Sequence, residues 1–309
     1  MSVILTALAC TPGCRRAPRE SATKENEPAA QRTRAALALL PADTQIVLSI
    51  DLDRLRGQPA WRTMFPVLAK NAKPFFDAFA ASAGLDVPRQ LRRFLVALPA
   101  ERQSDDRFVL IADAVALDET RVTGWLRARL GDKTTVVVRN KNQIVISRGA
   151  WGGPMAALEK ADRLTPSAAD NPELRRMCTR AALDHGLWFA AVVPTPVRRA
   201  LMQEPHFADV ASVARVWGFM DLDIGAHVET VAEMSSKADA EDLSHRLGVY
   251  LNQAKRHPDM LVRGLAPFLE ALRLVAHDAR VHATLDLSGP QLVECIERIE
   301  ALAHASGTK

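Results

Sequence analysis

The feature that most constrains this chain is a repeat inside it. Phe108–Leu130 (FVLIADAVALDETRVTGWLRARL) and Glu229–Leu251 (ETVAEMSSKADAEDLSHRLGVYL) superpose with a shift of 121 residues. Asp118 then falls on Asp239, Val122 on Leu243, Leu126 on Leu247 and Leu130 on Leu251. Each copy reads as an extended segment, a polar break and an amphipathic helix with apolar residues at i, i+4 and i+8. Asp118 is placed to cap the first helix, and Ser236 with Asp239 resembles a capping box on the second. Repeats of this kind fix architecture, because each copy must bury the same apolar face.

The flanking segments follow the same order. The strands QIVLSI (45–50) and GLWFAAVV (186–193) open the two halves. Helices are expected over 52–56 and 60–83 in the first half, with Pro66 and Pro74 breaking the longer one, and over 197–213 in the second. Strands at 93–98 and 216–224 precede the repeated unit. Strand pairs at 134–139 with 143–147, and 274–277 with 280–287, follow it, and helices at 155–163 and 291–303 close each half. Both halves therefore read β-α-β-β-α-β-β-α. Strands joined by short turns pair antiparallel. The predicted fold is α+β, a tandem duplication with antiparallel sheets and helices packed on one face. The expected organisation is a leader-like segment at 1–10, a flexible polar tether at 11–40, and α+β repeats at 41–165 and 166–306. Residues 163–171 (RLTPSAADN) form the boundary, and 257–273 is an insertion in the second repeat limited by Pro258 and Pro267.

The net charge of +4 suggests a nucleic-acid partner until the charges are placed. Residues 11–34 hold six basic side chains against three acidic ones, so three of the four net charges lie there. A phosphate-binding face needs concentrated positive charge, and the rest of the chain is close to neutral. No nucleic-acid partner is expected.

The N-terminal stretch MSVILTALA is apolar, ends in a small residue and runs into Cys10, followed by a polar, Arg- and Glu-rich segment. It resembles the lipobox of a bacterial lipoprotein. That resemblance implies lipid attachment at Cys10, or alternatively at Cys14 after Gly13, and export to the cell envelope with the body facing the periplasm. The partner it implies is a membrane surface reached through one lipid anchor. Cys178 and Cys295 lie in helical patterns and read as free buried thiols rather than a disulfide.

The segments LLPADTQIVLSIDL (39–52), AGLDVPRQLRRFLVAL (83–98), ADAVALDETRVTGWLRARL (112–130) and NQIVIS (142–147) look like a group of uncharacterised bacterial exported proteins, often lipoproteins, built of two α/β halves. The resemblance spans roughly 39–303. It implies an envelope location and a tandem α+β fold, and it carries no activity.

Catalytic signatures such as a nucleophile elbow, a P-loop, HExxH and GxGxxG do not occur, and no cofactor is expected. The glycine-dense GAWGG (149–153) reads as a strand-to-helix turn that buries Trp151. All eight histidines lie at or beyond His185. A three-residue loop Ile224-Gly225-Ala226 pairs Asp223 with His227, Asp221 with Glu229 and Phe219 with Val231. It gathers Asp221, Asp223, His227 and Glu229 on one sheet face. Facing carboxylates need a cation, which Arg280 would supply on a neighbouring strand; alternatively His282 would complete a metal site. The ordinary reading of such a face is solvated and salt-bridged. Asp51 and Asp53 read as the start of a helix. Phe75, Phe76 and Phe79 either pack on their own sheet or line a hydrophobic groove. The expected function is a tethered, non-enzymatic binding or scaffolding module. The alternatives are a metal-dependent hydrolase using the second-repeat cluster and a carrier of a hydrophobic ligand.

Overall fold

A computed structural model describes residues 27–100, 107–181, 185–203, 210–258, 260 and 265–306. Cys10 and Cys14 lie outside the described residues. The fold is α+β with antiparallel strands, as the turn lengths required. The chain divides into two compact units, Glu25–Arg54 with Asn71–Val197 and Leu55–Lys70 with Arg198–Lys309. No helix among the described residues is long and apolar enough to cross a membrane.

The first of these units opens with α1 (Glu27–Leu37), β1 (Ile46–Asp51) and the start of α2 (Leu52–Arg56). Then come α3 (Pro59–Ala83), which belongs to this unit from Asn71 on, α4 (Val87–Gln90), β2 (Leu91–Leu98), β3 (Phe108–Ala114), α5 (Glu119–Leu130), β4 (Thr134–Arg139) and β5 (Gln143–Arg148). Helices α6 (Gly152–Ala157) and α7 (Pro172–Ala181) and strand β6 (Leu187–Val192) complete it. The strand order is β4-β5-β3-β2-β1-β6. The opening strands of the two sequence halves, β1 and β6, pair directly, Ile46 with Ala191 through Ile50 with Leu187.

Successive side chains on a strand point to opposite faces. Phe94, Leu110, Ala112, Ile144, Ile146, Val136 and Val138 share a core with Phe79 and Ala83 of α3 and with Val122 and Leu126 of α5. Leu95 and Ile111 point the other way, under Ala36 of α1. Helices thus cover both faces of this sheet, not the single face expected. Helix α6 packs on β4 and β5 and α7 on β6, and the segment read as tether adds to this layer by packing on α7. The last part of that segment, 27–40, forms α1 and a turn, and it buries Thr33, Leu37 and Leu40. A helix with buried Thr33 and Leu37 four residues apart has an apolar stripe that must be covered. The segment 163–171 is tied to the same region: Leu164 N–H donates to the Ala38 carbonyl, Ala168 N–H to the Leu40 carbonyl, and Ser167 bridges Pro41.

Local signals hold where they were strongest. Asp118 accepts a hydrogen bond from the Arg121 N–H at the start of α5. The β4–β5 turn uses positive φ at Asn140 and Lys141, and Asn142 N–H donates to the Arg139 carbonyl. Trp151 is buried, its Nε1 donating to Asp43 at 2.8 Å. Helix α3 does not break at its prolines; it runs from Pro59 to Ala83 with both inside. Each proline removes one N–H donor, but side-chain burial on either side holds the helical path.

The second unit holds the strand order β7-β8-β10-β9. After α8 (Thr195–Gln203), β7 (Val213–Asp221) and β8 (Gly225–Met234) lead to α9 (Lys237–Arg256). Then come α10 (Ala266–Ala271), β9 (Arg273–His277), β10 (Arg280–Ser288) and α11 (Gly289–Ser306). The run β2-β3-α5-β4-β5, ordered β4-β5-β3-β2 in space, has the same sequence and spatial order as β7-β8-α9-β9-β10. The helix caps, however, are Asp118 and Ser236, so the 121-residue alignment is three residues off at the cap. Three residues are nearly one helical turn, so the buried face survives the offset.

Candidate functional site

In the second unit His227 of β8 and His282 of β10 lie on one sheet face. Its β7–β8 register differs from the expected one. Asp221 pairs with His227, Phe219 with Glu229 and Trp217 with Val231. The turn is Leu222-Asp223-Ile224, because Gly225 and Ala226 already belong to β8 and pair with Ser288 and Leu287. Gln58 fastens this turn by accepting from the Leu222 N–H, and Ala60 N–H donates to the Asp223 carbonyl. A two-residue register shift keeps every side chain on its face, so Asp221, His227 and Glu229 still share a side, while Asp223 sits exposed in the turn.

Strand β10 does flank β8. His227 Nδ1 lies 2.7 Å from Asp286 Oδ1, and His282 Nδ1 lies 3.3 Å from Glu229 Oε1. Arg280 engages Glu233 (3.6 Å), which also meets Arg215 (3.3 Å). Arg280 also lies over the Trp217 ring, 5.8 Å from its centroid. The candidate ligands are thus separated into side-by-side pairs. Among the described residues no group of three or more His, Cys, Asp or Glu is placed to hold a metal ion.

The phenylalanines of α3 are engaged in their own unit. Phe79 is buried, 4.4 Å from the Trp125 ring centroid, and Phe75 stacks on Phe79 at 6.0 Å. Arg129 lies over Trp125. Phe76 and Trp125 are partly buried beside this core, and Phe75 is exposed at its edge. Cys178 and Cys295 are free and buried, and burial pushes both thiols up from their ordinary value.

Sequence reasoning missed a polar groove in the first unit. Its floor is a single row of cross-strand neighbours: Asp51 on β1, Arg93 on β2, Asp113 on β3, Gln143 on β5 and Arg139 on β4. The row lies on the face away from Phe94 and Ala112. Arg139 is buried; its Nε donates to the Leu158 carbonyl (2.8 Å), one terminal nitrogen to Gln143 Oε1 (2.7 Å) and the other to the Ala161 carbonyl (2.9 Å). Gln143 Nε2 in turn donates to Asp113 Oδ1 at 2.8 Å. Arg93 approaches Asp51 at 3.6 Å, too long for a hydrogen bond. Asp51 Oδ1 also accepts from the Arg54 N–H, so it starts α2 as expected. Arg92 and Asp53 stand 3.6 Å apart on the rim.

The next row along the strands is Ser49, Leu95, Ile111, Val145 and Val137. Above both rows lie Arg32, Ala35 and Ala36 of α1 and then Leu39. Three adjoining hollows result. One of about 620 Å³ lies over the polar row, with Asp53, Arg92, Asn140, Asn142 and Asp162 on its walls. One of about 230 Å³ reaches over Leu95 and Ile111. A small one of about 70 Å³ lies among Arg32, Arg54, Arg93, His185 and Ser49. The sequence signal was there, a polar residue at the end of each strand, but only pairing order brings the five together.

No protein-family description matches the chain, and no curated protein is similar to it. A solved structure titled "Structure of crystal form I of TP0453" is similar over 84% of this chain and 95% of its own, at 8% identity and a TM-score of 0.40.

Proposed function

We propose that this protein is a membrane-anchored envelope protein of the lipoprotein type. A lipid on Cys10, or alternatively Cys14, holds a non-enzymatic binding module on the periplasmic side. In this reading the two halves arose by tandem duplication, which the equal strand order of the two runs supports, and the groove of the first unit is the binding place. The observation that carries it is the row Asp51–Arg93–Asp113–Gln143–Arg139. Its groups are set on strands rather than loops, hydrogen bonds link Arg139, Gln143 and Asp113, and the row opens to a hollow of about 620 Å³. Rigid, convergent polar groups in a concavity are what small-ligand sites are made of.

The test is a thermal-shift screen of the full chain against small polar metabolites. At least one compound should raise the melting temperature of the wild type and leave Ala35→Trp unmoved, because an indole at Ala35 fills the hollow. A library without a hit, or hits indifferent to Ala35→Trp, refutes the binding place. Labelled palmitate should enter the wild type and be lost in Cys10→Ser or in Cys14→Ser; an unlabelled wild type refutes the anchor.

A further inference from the structure

Resting on the groove reading above, we infer that the ligand is a small zwitterion of the free amino-acid class with an apolar side chain. The carboxylate belongs at Arg93 and the ammonium at Asp113. Neighbouring strands stand about 4.8 Å apart, so these cross-strand partners offer opposite charges a few ångströms from each other. Arg93 holds Asp51 only loosely, at 3.6 Å, which leaves its planar fork turned to the hollow; such a fork binds a carboxylate through two parallel hydrogen bonds. Asp113 has one oxygen committed to Gln143 (2.8 Å), and the carboxylate has acceptor capacity to spare.

The two rows divide the labour. The polar row takes the charged end. The row one pleat along presents Leu95 and Ile111 beneath Ala35, Ala36 and Leu39, so an apolar side chain leaving the charged end is buried there. Charges of both signs surround the pair: Arg32, Arg54 and Asp51 line the small hollow beside Arg93, and Asp53, Asp162, Arg92 and Arg139 line the larger one with Asp113. A simple anion would forgo Asp113, and a simple cation would forgo Arg93.

Titration calorimetry on the full chain tests this with free leucine as the probe, against isocaproate, which lacks the ammonium, and isopentylamine, which lacks the carboxylate. Leucine should bind, and each truncated analogue should bind about tenfold more weakly or worse, the usual effect of losing one charge-assisted contact. Asp113→Asn, which still accepts from Gln143, and Arg93→Lys, which keeps its charge beside Asp51, should each weaken leucine by about tenfold while circular dichroism melts stay in place. No heat from leucine overturns the inference, as does leucine binding indifferent to both substitutions. Isocaproate equal to leucine overturns it too but leaves the groove as an anion site, and thermal-shift hits without leucine among them leave the groove and remove the amino acid.

Discussion

Arg139→Ala is the substitution with the most to say about the groove. The guanidinium is buried at 8% exposure and donates to three acceptors, the Leu158 and Ala161 carbonyls and Gln143 Oε1. The two carbonyls lie just past the C-terminal end of α6, where backbone acceptors have no helical donor and a cation is favoured. Hydrogen bonds to a charged group contribute ~1.5–3 kcal/mol each. Three at the low end, less what water restores near Ala161, make the expected loss about 3–4 kcal/mol. Leu158 is itself buried, so its carbonyl has little access to water once the guanidinium is gone. Urea unfolding followed by far-UV circular dichroism measures the change. Arg139→Lys should recover less than half of it, since one ammonium cannot span the three acceptors. Gln143→Ala combined with Arg139→Ala should be less than additive by about 1 kcal/mol, because the two share a bond. A loss under ~1 kcal/mol at unchanged m-value would refute the role given to Arg139.

Three further expectations follow from the packing. A Cβ at Gly225 would sit 1.8 Å from the Leu287 carbonyl oxygen, a backbone atom, so Gly225→Ala must separate β8 from β10; a loss of about 3 kcal/mol or more is expected by urea titration. Asp118→Ala removes the side-chain cap of α5 and should cost ~1 kcal/mol, with Asp118→Asn near neutral in the same measurement. Burial raises the Cys178 and Cys295 thiols, so both should resist alkylation in the folded chain near neutral pH and react in urea. The unfolded chain loses these protons above about pH 8.5 while the folded chain keeps them. Stability therefore falls as pH rises past that point, by up to about 1.4 kcal/mol per unit for each thiol; rising stability there would contradict the burial.

Much of the architecture was legible because its causes are local. Short β-branched apolar runs in QIVLSI, TTVVVR and QIVIS, bounded by turn residues, favour strands. Asn140-Lys141 makes a tight turn, and Asp118 and Ser236 compete for the first N–H groups of the helices that follow them. Short turns then force antiparallel pairing, and α+β follows. The candidate site was far less legible. Asp221, Asp223, His227 and Glu229 stand close in sequence, and the structure sorts His227 and Glu229 into pairs with Asp286 and His282 of β10. The groove residues come from five strands across nearly a hundred positions, with nothing in their spacing to connect them.

Two decisions belonged to the tertiary structure. One was to lay α1 over the sheet. Composition marked 11–40 as polar, yet its last part forms α1, buries Thr33, Leu37 and Leu40, and packs on α7. The other was to pair β1 with β6. The internal repeat predicts two like sets of strands, but which strand edges meet depends on backbone hydrogen bonds between segments some 140 residues apart. Local sequence sets how each strand alternates; only the assembled sheet sets which residues stand side by side. That is why the order of strands and helices was readable from the chain and the row from Asp51 to Arg139 was not.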